Sequence, residues 1–125
     1  MRHYSEIAIE ITGDIQDMLN QFSRTQLLLG ADNMERLANA KVAVFGIGGV
    51  GGYVVEALVR SGVGSFVIVD DDKVCLTNLN RQVEATRSTL GQPKAEVAAR
   101  RVADINPDCA VRAIRMFYLP QNADT

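Results

Sequence analysis

Only two cysteines and one histidine occur in the 125 residues, and that scarcity removes several kinds of chemistry. Cys75 and Cys109 form no C-x-x-C pair and have only His3 for company, so the chain lacks the spacing of a zinc site. Both are read as reduced, packed thiols. Cys75 stands out because it lies just beyond an apolar strand, where sites in open sheets usually form. Basic excess is also missing: 13 Lys and Arg against 15 Asp and Glu leave a net charge of −2. Any nucleic-acid contact must therefore come from a local cluster or a partner, and the bulk charge neither supports nor excludes RNA. No apolar run approaches the roughly 20 residues of a membrane span. Glu6 and Glu10 interrupt the one apolar stretch near the N-terminus, so no signal peptide is read and a cytoplasmic location is expected. Internal repeats and low-complexity tracts are absent too.

What is present is the balance of one globular domain, 47% hydrophobic and 22% charged. "EIAIEI" alternates like a strand, and "DIQDMLNQF" spaces Ile15, Met18, Leu19 and Phe22 like a helix. A short helix is expected over "DNMERLANA", with Asp32 as N-cap and Met34, Leu37 and Ala38 turned inward. "KVAVF" is a continuous apolar run of the kind that suits a parallel strand covered on both faces. A helix over 49–62 follows, where Val50, Val54 and Leu58 form one apolar stripe and Val55 and Val59 its neighbour, both able to bury.

"SFVIV" reads as a second strand, ending in "DDD". In "GQPKAEVAARRVADIN", Pro93 suits a first helical turn, and Ala95, Ala98, Val102 and Ile105 keep helical spacing along one face. "AVRAIRMFY" is a third strand, and "LPQNADT" looks like the opening of another helix. The expected class is α/β, a Rossmann-like doubly wound parallel sheet, incomplete here: a βαβαβ half with N-terminal helices. Its first strand is expected to leave an exposed edge prone to association.

"GIGGVG" fits G-x-G-x-x-G at Gly46, Gly48 and Gly51, after a strand and at the start of a helix as the mechanism requires. Gly46 permits the tight turn, Gly48 lets backbone approach a phosphate, and Gly51 lets helix and strand pack closely. The first helical N–H groups then face an anion. Asp70 closes the second strand near the roughly 20-residue spacing of a ribose-binding acid. Adenosine binding follows, but NAD and ATP both satisfy this loop. Arg81, in the polar turn after the second strand, and Lys94, at the next helix start, favour a triphosphate, which needs added cations around its outer phosphates. A lysine in a helix's first turn opposes the dipole unless an anion is close.

"GIGGVGG", "VDDDKVCLTNLNRQ" and "GQPKAEVAARRVADINP" together resemble the ubiquitin-activating-enzyme-like adenylylating family, which includes the thiamine- and molybdopterin-pathway adenylyltransferases. The resemblance runs from about Phe22 to the end, so residues 1–21 are read as an extension and 22–125 as the truncated N-terminal, ATP-binding part of the domain. Within the family the blocks are most similar to the subgroup that dehydrates threonylcarbamoyladenosine in tRNA.

The resemblance implies that Gly49 and its neighbours line the ATP phosphates, that Asp70 holds the ribose, and that Thr77, Asn78, Asn80 and Arg81 with Lys94 surround the triphosphate. It makes Asn78 and Arg81 the catalytic Asn-x-x-Arg, and Arg24 an arginine that crosses a homodimer interface to the partner's ATP. Asp72 matches a second acid of unassigned role, and Gln82 belongs to the same signature. It further implies Mg2+, with its aspartate beyond this chain and no metal ligand within it.

The implied chemistry is attack of a carboxylate on the ATP α-phosphorus with loss of pyrophosphate, the carboxylate being that of the modified adenosine in tRNA. Three alternatives stay open. One is an adenylyltransferase acting on the C-terminus of a small sulfur-carrier protein; another is an NAD-binding oxidoreductase domain. The third is a non-catalytic nucleotide-binding fragment.

Overall fold

Apolar, β-branched sequence and two helical crossovers produce a three-stranded parallel sheet in the computed structural model, which describes residues 20–117 and Gln121. Strands β1 (Lys41–Phe45), β2 (Ser65–Val69) and β3 (Ala110–Ile114) lie in the order β1-β2-β3. Lys41 pairs with Ser65 and Phe45 with Val69, while Ser65 also faces Ala110. Helices α1 (Ser23–Leu29) and α2 (Ala31–Ala38) precede the sheet, α3 (Gly51–Ser61) joins β1 to β2, and α4 (Lys94–Ile105) leads into β3. The expected strand "EIAIEI", most of the helix over "DIQDMLNQF" and nearly all of "LPQNADT" lie outside the described residues. Among the described residues no helix is long and apolar enough to cross a membrane.

The core lies between the sheet and the α3/α4 layer. Val44, Phe66 and Ile68 from the strands meet Val55 and Val59 of α3 and Ala95, Ala98 and Val102 of α4. β1 is not covered on both faces, as its apolar run suggested: Val42 and Val44 turn inward, whereas Lys41, Ala43 and Phe45 are exposed. Handedness supplies the reason. Two right-handed crossovers that advance in the same direction along a sheet place both helices on the same side. β1 also has β2 as its one pairing partner among the described residues.

Several boundaries differ from those expected, each for a local reason. Gly30, at φ +86°, ends α1 and starts α2 directly, so Asp32 is not the N-cap but a first-turn acid favourable to the dipole. Met34 and Leu37 are half-buried but Ala38 is exposed, because its carbonyl rather than its methyl lies against Gly64. Of the first stripe, Val50 and Val54 face outward while Leu58 packs half-buried on the core; Val55 and Val59 bury, since α4 and the sheet flank that side of α3. α3 begins at Gly51, with Val50 at its N-cap, and Pro93 is the N-cap of α4 rather than its first residue. β3 stops at Ile114 because β2 offers no partner beyond Val69; the expected Arg115, Met116 and Phe117 leave the ladder, and Tyr118 lies outside the described residues.

Two glycines differ sharply in what they protect. A Cβ on Gly51 would lie 1.8 Å from the Gly46 carbonyl oxygen, whereas one on Gly49 would meet nothing within 4 Å. Gly51→Ala is therefore expected to lower stability by about 2 kcal/mol or more through backbone displacement, and Gly49→Ala to leave it nearly unchanged. Urea unfolding of both variants checks the contrast.

Candidate functional site

The carboxyl ends of three parallel strands converge where an open α/β sheet places its ligands. β1 leads into the glycine loop, and Gly46, at φ +90°, turns the chain while its N–H bonds Val69 O at 2.8 Å. Ile47, fully buried in the core, anchors the loop from below. Gly48 and Gly49 carry no neighbour within 4 Å of a built Cβ, so open space lies over the loop. The first turn of α3 adds N–H groups that have no acceptor within their own helix.

Asp70 ties this loop to the end of β2. Its Oδ2 accepts the Ile47 N–H at 2.7 Å and its Oδ1 accepts the Asp72 N–H at 2.7 Å, with 9% of the residue exposed. The Asp70 N–H in turn donates to Ile114 O at 3.1 Å, so one residue joins the glycine loop, the acidic turn and β3. Beside it opens a cleft of about 270 Å3 lined by Phe45, Gly46, Asp70, Asp72, Met116 and Phe117. Its aromatic and thioether walls suit a flat apolar ring, and the carboxylates suit hydroxyl groups. Phe45, Met116 and Phe117 were missed as site residues because their sequence reads as strand; aromatic and thioether residues just beyond strand ends were the available signal.

The acidic turn continues into a second clamp. Lys73 and Val74 run antiparallel to Gly91–Pro93, with Val74 N–H donating to Gln92 O and Lys94 N–H to Asp72 O at 2.9 Å. That pairing sets the first residue of α4 beside Asp72. Lys94 is 5% exposed, and its Nζ stands 3.9 Å from Asp72 Oδ2. A buried ammonium with so long a contact keeps donor capacity for a further anion.

The Asn-x-x-Arg turn is held by its own polar groups. Asn78 is buried, with its Oδ1 accepting the Cys75 N–H at 2.9 Å and its carbonyl accepting the Arg81 and Gln82 N–H groups. Arg81 is exposed and donates through one guanidinium nitrogen to Thr77 O and Asn80 Oδ1, each at 3.0 Å. Thr77, Asn80 and Arg81 thus form one exposed cluster on a buried Asn78 pivot. Gln82 is buried with its Oε1 unpartnered among the described residues. Of the two thiols, Cys109 is buried but Cys75 is exposed, its sulfur capping the short turn over Leu76–Asn78 and lying 3.4 Å from Lys73 O; the packed reading fails there.

Arg24 is not brought to the loop by its own chain. It is exposed on α1, whose start packs through Phe22 against Gly62 and through Gln21 against the Ile105 carbonyl, at the opposite end of the sheet. The three acids after β2 lie close together. Asp70, Asp71 and Asp72 hold carboxylate oxygens within 4.8 Å of one another, yet Asp70 spends both oxygens on peptide N–H groups and Asp72 faces Lys94.

Comparison with known proteins places this geometry in context. A model of the ThiF family matches residues 22–125. A tRNA threonylcarbamoyladenosine dehydratase of Bacillus subtilis is 54% identical over 101 residues, covering 81% of this chain and 40% of its own length. A sulfur carrier protein adenylyltransferase of Thermus thermophilus is 38% identical, with 86% and 41% covered. The crystal structure of the Escherichia coli tRNA N6-threonylcarbamoyladenosine dehydratase in complex with ATP superposes with a TM-score of 0.80 at 44% identity, covering 82% of this chain and 42% of that one. The chain spans about two fifths of the length of these relatives.

The carboxylate of Asp70 is the residue on which the site geometry turns. Asp70→Asn keeps the shape but sets an amide NH2 against a peptide N–H, leaving a buried donor unsatisfied. The expected loss is about 2 kcal/mol, read as a lower urea midpoint with an unchanged slope.

Proposed function

This chain belongs to the ThiF family, and we propose that it carries the ATP-binding part of an enzyme that adenylylates a carboxylate, residues 1–21 being an extension. The observation that carries the reading is Lys94: a buried ammonium at a helix start, beside the acidic turn that Asp70 ties to the glycine loop, with one long ionic contact. A dinucleotide's pyrophosphate can be met by loop and helix N–H groups, whereas a triphosphate that must shed pyrophosphate needs such a cation. Gly46, Gly48, Gly49 and Gly51 would lie along the phosphates, Asp70 and Asp72 beside the ribose, and the adenine in the cleft of Phe45, Met116 and Phe117. Thr77, Asn78, Asn80 and Arg81 would close over the outer phosphates, and Arg24 would serve the site of a partner in a homodimer.

The substrate we favour is the carboxylate of threonylcarbamoyladenosine in tRNA, in keeping with the names of three relatives at 54%, 42% and 44% identity. Attack on the α-phosphorus would turn that carboxylate into a mixed anhydride, and loss of AMP would accompany ring closure. Mg2+ would be held by residues other than those of this chain, and the setting would be the cytoplasm. The second reading, activation of the C-terminus of a small sulfur-carrier protein, draws on the 38% identical adenylyltransferase.

The test supplies labelled ATP with either tRNA bearing the modified adenosine or a sulfur-carrier protein. AMP release and the cyclised nucleoside with tRNA support the first reading; AMP release with the carrier alone supports the second. ATP binding without either product leaves a non-catalytic nucleotide module, and NAD binding in place of ATP overturns the assignment. Lys94→Ala is expected to lower ATP–pyrophosphate exchange by about 100-fold or more, and unchanged exchange would remove Lys94 from the mechanism.

A further inference from the structure

The segment between β2 and α4 holds a buried acid to which the nucleotide reading gives no task. Glu84 is 3% exposed, and neither carboxylate oxygen meets a donor from any other described residue. Its Oε2 abuts α3: a Cβ built on Gly52 would stand 2.5 Å from it. Gly52 belongs to the first turn of α3, directly after the glycine loop, and its N–H bonds Gly48 O at 3.2 Å. The space left around the carboxyl, bounded by Ile47, Gly52, Val55 and Arg101, is about 10 Å3. That is the size of one water, too small for a ligand.

The charges facing Glu84 come from every neighbouring element. Lys94 and Arg101 reach it from α4 and Asp70 from the end of β2, while Glu56 of α3 borders the same space but is committed to Arg101. Burial pushes the Glu84 carboxyl above its ordinary value. Its own peptide N–H and the charge on Lys94 pull it back, Asp70 adds to the push, and Arg101 opposes it.

We propose that Glu84 is a positioning residue of the nucleotide site: its carboxyl, wedged against the first turn of α3, takes up a proton as a polyanion settles on the glycine loop. The inference rests on reading that loop as a triphosphate site. An ionised Glu84 behind the loop repels incoming phosphates and keeps in the core a charge to which no other described residue donates a hydrogen bond; the neutral acid does neither. Linkage then makes the effect mutual, so phosphate binding raises proton occupancy and a lower pH tightens binding. Without ligand the sign is the same. An acid whose folded pKa is raised contributes stability fully below the ordinary value of 4.5, and that contribution is lost as pH rises through the folded value.

Calorimetric titration of ATP into the 125-residue chain, in buffers of differing ionisation enthalpy, reads this directly. The expected result is net proton uptake and an affinity that falls with rising pH by up to about tenfold per unit. Glu84→Gln should lose that uptake and flatten the profile relative to the parent. Equal uptake and equal profiles in the two proteins would overturn the role of Glu84 while leaving ATP binding intact. Absence of ATP binding in both would overturn the nucleotide reading and this inference with it. Should Glu84→Gln fail to fold, buffer-independent heats in the parent chain alone would overturn the proposal.

Discussion

The Asp70 carboxylate accepting two peptide N–H groups is the contact on which the rest of the site depends. One oxygen holds Ile47 and with it the glycine loop; the other holds Asp72 and with it the acidic turn. Because the Asp72 carbonyl then receives the N–H of Lys94, the chain of hydrogen bonds runs from the loop after β1 to the first residue of α4. Hydrogen bonds to a charged acceptor are worth more than neutral ones, and burial keeps water from competing. Loop, acid and lysine are therefore set in position by the folded backbone before any ligand arrives, which is the preorganisation that electrostatic binding of a polyanion requires.

Among the described residues the two crossovers leave the sheet around this tie lopsided. Both helices lie on one face, so the other face of β1 presents Ala43 and Phe45, and the carboxyl ends open into a cleft walled by Phe45, Met116 and Phe117. The glycines divide by function along the same line. Gly51 serves the protein's own packing as well as the proposed phosphate path, since its Cβ position is already filled by the Gly46 carbonyl, while Gly48 and Gly49 look onto empty space. Glycines that pack against nothing in the protein are the ones left for a ligand to approach.

Most of the fold was legible because it rests on local rules. The βαβαβ order, the glycine loop and Asp70 follow from periodicity, a turn that needs positive φ and a spacing along the chain. The faces were less legible, because apolar content does not say on which side a crossover helix will land; Val50 and Val54 read as core and point out. Polar residues were hardest to place. Asn78 turned out to be a buried pivot under Arg81, and Glu84 a buried acid, since a side chain's burial depends on segments far away in sequence. Arg24 was recognisable by resemblance alone, and its own chain leaves it at the far end of the sheet from the loop. Resemblance pointed to ATP as the nucleotide; geometry supplied the reason for proposing that Lys94 serves it.

The central claim is that the Asp70-tied loop and Lys94 form a site for a triphosphate rather than a dinucleotide. Competition among ATP, ADP, AMP and NAD+ for this chain, followed by displacement of a fluorescent ATP analogue, tests it most directly. The account predicts affinities that rise with phosphate number, with ATP tightest and NAD+ weakest. NAD+ displacing the analogue as effectively as ATP would contradict it.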